Sequence, residues 1–343
     1  MTAQRRPTIS SLAELAVLAG VSPSTVSRAL AGNGLISAAT RQRVVELARE
    51  HGFQPNQLAR NLRLGRTRAI GVVLPLGHET GQHLSDPFYI ALLGRLADAL
   101  TERGYDLLLS RVNPKDDAWL DRLVDSGRVD GVIVVGQSDQ IVVLDRVAER
   151  YAPLMVWGGH MPDHVHRSVG SDNRMGGEMA TRHLLESGRR KLAFFGNPDA
   201  PEIAQRQRGF FEACRAAGLT QDVETLPVPL TADAAYEMIA ERLDQGPPPD
   251  GVVAASDMIA MSALRALAER GLRVPQDVAV IGYDDVMLAA RTSPPLTTIR
   301  QDLARGANLL VDLLLRALAG EAIQSAVLAP TLIVRGSTAT RWG

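Results

Sequence analysis

Residues 19–30, AGVSPSTVSRAL, decide how the N-terminal part of this chain folds. Gly20 is suited to end a helix, and Ser22 followed by Pro23 is a good N-cap with proline at the first position of the next helix. Only Gly20 and Val21 separate the two helices, so the chain must turn sharply between them. The stretch therefore predicts a helix-turn-helix whose second helix begins at Pro23.

The residues on either side predict one helix before this turn and another after it. Ser11-Leu12-Ala13-Glu14 is a capping box, and the apolar residues that follow it recur on one helical face. Ser37 is an N-cap for a third helix that extends from Ala38 to about Glu50. Three short helices around one tight core, with arginines on the outside, are typical of a DNA-binding head.

The charge is distributed unevenly along the chain. The net charge is −1, yet residues 1–68 hold ten arginines and three glutamates, which makes this segment +7 and the remainder −8. A basic segment on an acidic body is expected when one end of a protein meets a polyanion. A solvated run of charges would give the same count, so charge alone leaves both interpretations open.

Length and composition restrict the class of protein. A chain of 343 residues with 45% hydrophobic residues predicts two or three domains with buried cores. Its single cysteine, Cys214, excludes an intramolecular disulfide and a cysteine-cluster metal site, and fits a reducing compartment. The sequence has no apolar run of 18 residues and no clean signal-peptide pattern, so we expect a soluble cytoplasmic protein without a membrane partner.

From Ala69 onward, apolar strands alternate with amphipathic helices. The predicted strands are 69–74, 105–109, 131–135, 191–195, 252–254, 278–283 and 331–335, and the predicted helices are about 87–103, 116–126 and 307–318. Continuous apolar strands of this kind form parallel sheets whose two faces are covered by helices. Because the pattern restarts near Lys191, we expect two α/β units in series that form a bilobed body with a cleft.

These residues resemble the lactose/galactose repressor (LacI/GalR) family of transcriptional regulators. The similarity is carried by residues 8–16 (TISSLAELA) and 19–30, continues through Val44, Gly52-Phe53, Pro55-Asn56 and Leu58-Ala59-Arg60, and covers nearly the whole chain. It implies an N-terminal all-α helix-turn-helix head and an α/β bilobed body like a periplasmic binding protein, with two parallel-sheet lobes. The implied domains are a head at 1–54, a hinge helix and linker at 55–68, and an effector-binding and dimerisation body at 69–343, with lobe 1 at about 69–167 and 297–327 and lobe 2 at about 168–296 and 328–343.

The resemblance also assigns DNA contacts. Pro23, Ser24 and Arg28 match the recognition-helix positions that read base edges, and an arginine such as Arg28 can bridge guanine O6 and N7. Phosphate-contacting positions of the family are matched by Ser22, Ser27, Ser37 and Thr40, and such contacts set the register rather than the sequence that is read. Ala31 departs from the asparagine that is usual in the family. The predicted DNA-contacting set is Ser11, Ser22, Pro23, Ser24, Thr25, Ser27, Arg28, Ser37, Thr40, Asn56, Ala59, Arg60, Leu62 and Arg63.

The hinge, residues 55–63, is too short to be a stable helix alone, because isolated helices below about 12–15 residues are marginal in water. We expect it to fold only against its twin and the DNA minor groove. The resemblance implies that Leu62 is the wedge pushed between base pairs, with Arg60 and Arg63 neutralising phosphates. The alternative is that Leu62 is a linker residue covering the body.

Loops that follow parallel strands predict the effector pocket, because ligands bind at the carboxyl ends of such strands. Arg206, Glu202 and Asp284 match family pocket positions, and Ser256 takes the place of an asparagine found in many relatives. On the first lobe, Phe88 and Tyr89 can stack on a sugar face, whereas Gln137, Trp157 and His160 end neighbouring strands. The alternatives are core packing for the aromatic residues and an ordinary salt bridge for Arg206. Gly158 stands where many sugar-binding relatives have an aspartate.

The expected partners are operator double-stranded DNA, a small carbohydrate effector and a second copy of the chain. A dimer is favoured because no leucine heptad tail follows Arg335-Gly336-Ser337, and whether the effector is an inducer or a co-repressor stays open. We expect no cofactor and no metal, since His160, His164 and His166 share a loop with only Asp163 as an oxygen ligand. The alternatives are a sugar-binding transport receptor and an α/β enzyme. This sequence lacks the phosphate-loop and nucleophile-elbow motifs that would favour the enzyme.

Overall fold

The structure is a computed structural model, and it describes residues 9, 11–30, 36–53, 66–76, 81–221 and 223–338. The chain separates into two compact units, Met1–Thr67 and Arg68–Gly343, which we describe individually as the head and the body. The hinge predicted at 55–63 lies outside the described residues. Among the helices that are described, none has both the length and the apolar character needed to cross a membrane.

Within the described residues the head has three helices, as the sequence predicted: α1 (Leu12–Ala19), α2 (Pro23–Leu30) and α3 (Ala38–Glu50). The first is capped by Ser11, whose Oγ accepts the Glu14 N–H at 3.2 Å, and it ends at Gly20 with a left-handed φ of 65°. Each helix contributes one fully buried side chain to the core, namely Leu15, Val26 and Val44. The capping residues and the apolar spacing therefore determine the head locally.

The body is built from alternating strands and helices. Its strands are β1 (Ala69–Pro75), β2 (Asp106–Val112), β3 (Gly131–Val135), β4 (Leu154–Trp157), β5 (Arg167–Ser171), β6 (Leu192–Phe195), β7 (Val223–Leu226), β8 (Gly251–Ala254), β9 (Ala279–Asp284), β10 (Thr297–Arg300), β11 (Ala326–Leu328) and β12 (Thr331–Ile333). Its α-helices are α4 (Pro87–Glu102), α5 (Trp119–Val124), α6 (Ile141–Ala148), α7 (Asn173–Glu186), α8 (Pro201–Ala216), α9 (Ala232–Asp244), α10 (Asp257–Glu269) and α11 (Leu303–Leu318).

These strands form two sheets, which define the two lobes. Within the described residues, the lobe 1 sheet has the order β11-β5-β4-β3-β1-β2 and the lobe 2 sheet the order β12-β10-β9-β8-β6-β7. All neighbouring strands are parallel except β10 and β12, which pair antiparallel. The predicted architecture of two mainly parallel lobes is therefore confirmed. Both sheets are covered by helices, and their interiors form separate apolar cores.

The chain crosses between the lobes a few residues later than the sequence predicted. Strand β5, which the prediction divided at 167/168, belongs wholly to lobe 1, and β10, which was assigned to lobe 1, pairs with β9 of lobe 2. The crossings therefore follow Ser171, Arg300 and Leu328. Sheet membership depends on which strand lies alongside, and no local pattern in these short strands encodes that. The carboxyl ends of β3, β4 and β5 in lobe 1 and of β9 in lobe 2 line one cleft.

Candidate functional site

The exposed face of α2 presents the side chains that were predicted to read DNA bases. Val26 and Ala29 bury the opposite face in the head core, which leaves Ser24 and Arg28 exposed and one helical turn apart. Arg28 makes no hydrogen bond or ion pair with the part of the chain that the structure describes. An exposed, uncommitted guanidinium on a helix that fits the major groove can form two hydrogen bonds with a guanine edge.

Each helix of the head begins at a serine that was predicted to contact DNA. The Oγ atoms of Ser11, Ser22 and Ser37 each accept a backbone N–H of their own helix at 3.2 Å. Ser22 Oγ also lies 2.8 Å from Ser24 Oγ and 2.9 Å from Thr25 Oγ1. Helix N-termini favour phosphate oxygens because their free N–H groups and dipoles point outward.

The remaining predicted DNA contacts divide into two groups. Ser27 and Thr40 are half-buried at the surface of the head, and Pro23 is exposed at the start of α2. The predicted contacts in the hinge lie outside the described residues; they are Asn56, Ala59, Arg60, Leu62 and Arg63. Ala31, where the family usually has asparagine, also lies outside them. The contacts expected from the hinge therefore stay predictions.

The cleft between the two lobes of the body is the candidate ligand site. Its volume is about 930 Å³ when the part open to solvent is included. It brings together these residues predicted from the sequence: Phe88, Tyr89, Trp157, Glu202, Arg206, Ser256 and Asp284. They come from both lobes and are up to about two hundred positions apart, so only the fold assembles them.

Arg206 is held rigidly at the lobe 2 side of the cleft and retains only 8% of its exposed surface. Its Nε donates to Asn173 Oδ1 at 2.8 Å and its Nη1 donates to the Ala255 carbonyl at 2.5 Å. The guanidinium stacks on the Tyr283 ring with 3.7 Å between Cζ and the ring centroid. These contacts fix the orientation of the fork, so the side chain is preorganised to bind oxygen atoms of a ligand.

Asp284 faces the same region from the end of β9. Burial raises its pKa to about 7, against the opposing effects of the positive Arg206 and of a hydrogen bond from Gln301 Nε2 at 2.7 Å. Its φ of 117° lies in the left-handed region, which a residue other than glycine adopts at a cost in energy. Strain of this kind persists where surrounding contacts fix the backbone.

Those surrounding contacts involve the two residues that follow Asp284. Asp285 accepts hydrogen bonds from Arg300 Nε at 2.6 Å and Arg335 Nη2 at 2.5 Å. The Val286 N–H donates to the buried Asp257 at 2.8 Å, and Thr298 Oγ1 donates to the other oxygen of that carboxyl group at 2.6 Å. Burial and the nearby Asp284 raise the pKa of Asp257 well above its ordinary range. This network holds the Asp284 carboxyl group in the cleft.

The lobe 1 side of the cleft is largely aromatic. The Phe88 and Tyr89 rings lie 5.7 Å apart at the start of α4, where Asp86 caps the helix by accepting the Phe88 N–H at 2.8 Å. Trp157 lines the cleft but is 5% exposed, since it also packs in the lobe 1 core. It therefore has both of the roles that the sequence left open. Aromatic faces beside hydrogen-bonding groups suit the apolar and polar faces of a sugar ring.

Two predicted pocket residues do not line the cleft. Gln137 is fully buried behind Gly158, and its Nε2 donates to the Gly159 carbonyl at 2.9 Å and lies 3.1 Å from His166 Nε2. His160 is exposed, and its carbonyl group accepts from Gln205 Nε2 at 3.4 Å. The prediction was wrong in placing these side chains in the pocket wall, because Gln137, which follows β3, is buried against Gly159 and His166, and His160, which follows β4, is exposed.

The position of Gln137 also accounts for Gly158. A Cβ atom at residue 158 would lie 2.8 Å from Gln137 Cδ and 2.9 Å from Glu202 Oε1. An aspartate at this position therefore has no room unless these side chains move. Glu202 Oε1, which lies beside Gly158, accepts the Gly159 N–H at 3.2 Å and so links the two lobes.

The histidine-rich loop forms a cluster with Asp145 rather than with Asp163. Asp145 lies 2.7 Å from His164 Nδ1 and 2.6 Å from His166 Nδ1, and its oxygen atoms also accept the backbone N–H groups of Val165 and His166. Their potential ligand atoms lie within 4.8 Å of one another. These hydrogen bonds attach the loop to α6.

Sequence reasoning missed several residues of the cleft. The polar ones are Gln82, Ser138, Ser171, Asn173 and Gln301, and the apolar ones include Ile203, Leu230, Met258, Met261 and Val286. Ser171 is the last residue of β5 and Asn173 lies two residues later, so recognition of that short strand would have nominated both. Gln82 lies in an irregular loop that carries no comparable signal. Asp172 caps α7, as expected, by accepting the Met175 N–H at 2.9 Å.

Both the head and the body of the chain match known protein families. The model for bacterial regulatory proteins of the lacI family matches residues 11–56, and the model for a periplasmic binding protein-like domain matches residues 181–338. The chain is 35% identical to the HTH-type transcriptional regulator CelR of Thermobifida fusca, over 98% of this chain and 100% of CelR.

Two solved structures extend this comparison to the fold. A complex of the transcriptional regulator CelR with cellobiose aligns with 96% of this chain and 100% of its own, at 33% identity and a TM-score of 0.69. The Lac repressor dimer bound to operator and the anti-inducer ONPF aligns with 97% of this chain and 99% of its own, at 25% identity and a TM-score of 0.84. The chain belongs to the lacI family of bacterial regulatory proteins and is a DNA-binding transcriptional regulator.

Proposed function

We propose that this regulator is a homodimeric repressor that a small carbohydrate releases from a near-palindromic operator. The observation that carries the proposal is the cleft, where the fixed Arg206 guanidinium and the Asp284 carboxyl group face an aromatic wall formed by Phe88, Tyr89 and Trp157. A guanidinium fork and a carboxylate together bind vicinal hydroxyl groups, and aromatic rings stack on the apolar face of a sugar.

The CelR complex supports a β-linked glucose disaccharide as the first effector to test. That structure holds cellobiose, and this chain is 33% identical to it. Residue 158 is glycine, and Gln137 lies directly behind it. Some contacts to the ligand should therefore differ from those in a regulator with an aspartate at this position. We therefore propose a glucoside or a short oligosaccharide as the effector class, and genes of carbohydrate use as the targets.

The proposed mechanism couples the cleft to the DNA. Arg28 and Ser24 of each protomer read base edges, while the hinges at 55–63 pair in the minor groove with Leu62 as the wedge. Sugar binding closes the lobes about the crossings that follow Ser171, Arg300 and Leu328, and this closure separates the hinges. A coupling of about 1–3 kcal/mol between the two sites changes operator affinity about 5- to 150-fold.

A co-repressor is the second candidate, because the same closure can stabilise the DNA-bound state. Both candidates are tested by incubating the full-length protein with genomic DNA fragments at near-physiological salt, with and without a sugar panel, and sequencing the bound DNA. Enrichment of one palindromic site that a sugar abolishes supports the inducer, and enrichment only with a sugar supports the co-repressor. Binding that no sugar alters would contradict the proposed effector class.

A further inference from the structure

Two buried oxygen atoms on the lobe 1 side of the cleft have no hydrogen-bond partner among the described residues. They are Gln82 Oε1, in the loop before α4, and Ser171 Oγ, at the end of β5. Both residues line the cleft, yet they are only 4% and 3% exposed. Buried polar atoms in native proteins are nearly always hydrogen-bonded, so each unpaired one requires an explanation.

Three other neutral polar side chains of the cleft, those of Asn173, Gln301 and Ser256, are already hydrogen-bonded within the protein. Asn173 accepts from Arg206 and donates to the Ser171 carbonyl at 3.1 Å, and Gln301 donates to Asp284. Ser256 Oγ accepts the Ile259 N–H at 3.2 Å as the cap of α10. Gln82 Oε1 and Ser171 Oγ differ from these three groups, because no described residue pairs with them.

The backbones of both residues are anchored. The Gln82 carbonyl accepts from Arg111 Nη2 of β2 at 3.3 Å, so its loop is attached to the lobe 1 sheet. Ser171 is linked through Asn173 to the Arg206 guanidinium. Anchored backbones hold both residues at the cleft before a ligand binds, which lowers the cost of ordering them on binding.

We infer that Gln82 and Ser171 form a second hydroxyl-binding subsite, on lobe 1, for the effector whose other end Arg206 and Asp284 bind on lobe 2. Gln82 Oε1 can only accept, so the ligand group opposite it must be a donor such as a sugar hydroxyl. Both groups are neutral and the cleft also holds Asp86 and Glu202, so the subsite suits a neutral polyol and not an anion. A ligand that uses both subsites bridges the lobes.

This inference rests on the proposed carbohydrate effector, and calorimetric titration of the full-length protein tests both. Wild type is titrated with cellobiose, lactose, maltose and glucose, and the sugar that binds is then used with Gln82→Met and Ser171→Ala. Each substitution should weaken binding about 2- to 12-fold, the range expected for one neutral hydrogen bond. The Tm of the free protein should stay the same or rise, because an unpaired buried atom is removed.

Ser262→Ala is the matched control. It removes a serine hydroxyl that is bonded to the carbonyl groups of Ala232 and Met258 at 3.0 and 3.1 Å and lies outside the cleft lining. It should lower the Tm and leave sugar affinity unchanged. If Gln82→Met and Ser171→Ala bind the sugar as wild type does, or lower the Tm as Ser262→Ala does, the subsite is wrong. If no sugar binds wild type, the proposed effector class fails, and the subsite with it.

Discussion

Replacement of Asp284 by asparagine should separate sugar binding from folding. Asparagine tolerates the positive φ of this position, and its Oδ1 can still accept the hydrogen bond from Gln301. The negative charge is lost, and one acceptor oxygen is replaced by an NH2 group that donates. A hydrogen bond to a charged group contributes about 1.5–3 kcal/mol, so we expect sugar affinity at pH 8 to fall about 12- to 160-fold.

The pH dependence gives this prediction a second readout. With a pKa of about 7, Asp284 is about one-tenth ionised at pH 6 and about nine-tenths ionised at pH 8. If the carboxylate accepts sugar hydroxyl protons, wild-type affinity should rise about tenfold over this interval. The Asp284→Asn variant should show no such rise. Asp244→Asn, at an exposed carboxylate of lobe 2 paired with Arg270, should keep the wild-type profile.

The free energy of unfolding should fall as the pH rises, which is opposite to the expected rise in sugar affinity. Because the pKa in the folded state is raised from 3.8, the native state holds this proton more tightly than the unfolded chain. Its stabilising contribution is complete below about pH 4 and is lost as the pH rises through 7. Asp284→Asn should therefore be more stable than wild type at pH 8, by at most about 4 kcal/mol, and operator binding should persist. A variant that loses sugar binding, DNA binding and stability together would show that Asp284 is structural, and would refute this reasoning.

Other substitutions test the head and the wall of the cleft. Arg28→Ala should cost about 1–3 kcal/mol at a single base position of the operator, measured by competition among single-base variants, and a uniform loss across sequences would make it a phosphate contact instead. Leu15→Ala should destabilise the head by about 2–5 kcal/mol and abolish DNA binding, whereas calorimetry on the same variant should find sugar affinity unchanged. Gly158→Asp should lower the Tm because its Cβ would lie 2.8 Å from Gln137 Cδ, and the double variant with Gln137→Ala should recover much of the loss. Additive losses in the double variant would mean that Gln137 does not occupy the space in question.

The head could be predicted almost completely from its sequence, because its signals are local. Ser11, Ser22 and Ser37 each cap the helix that follows, and Gly20 adopts the left-handed conformation that ends α1. A cap depends on residues within one helical turn, so no knowledge of distant parts of the chain is needed. The same is true of the apolar runs that became the longer strands of the body.

The cleft could be predicted only in part. Arg206 and Asp284 were found because family pocket positions carry a recognisable local pattern, and both line the cleft. Gln137 and His160 were misplaced, because the end of a strand indicates which edge of a sheet a residue reaches but not the direction of its side chain. Gln82 and Ser171 were missed altogether, since their unpaired oxygen atoms exist only once the surrounding chain has buried them.

By itself, the sequence determined that a basic three-helix head precedes two mainly parallel α/β lobes. Helix caps, helical spacing of apolar residues and apolar strands each depend on residues that are close together in the sequence. The tertiary structure alone decided which lobe β5 and β10 join, and how the Arg206 guanidinium is held between Asn173, the Ala255 carbonyl and the Tyr283 ring. It also decided that Gln137 occupies the space beside Gly158. Pairing, burial and charge at these positions arise between residues far apart in the chain, and their energies exist only when folding brings them into contact.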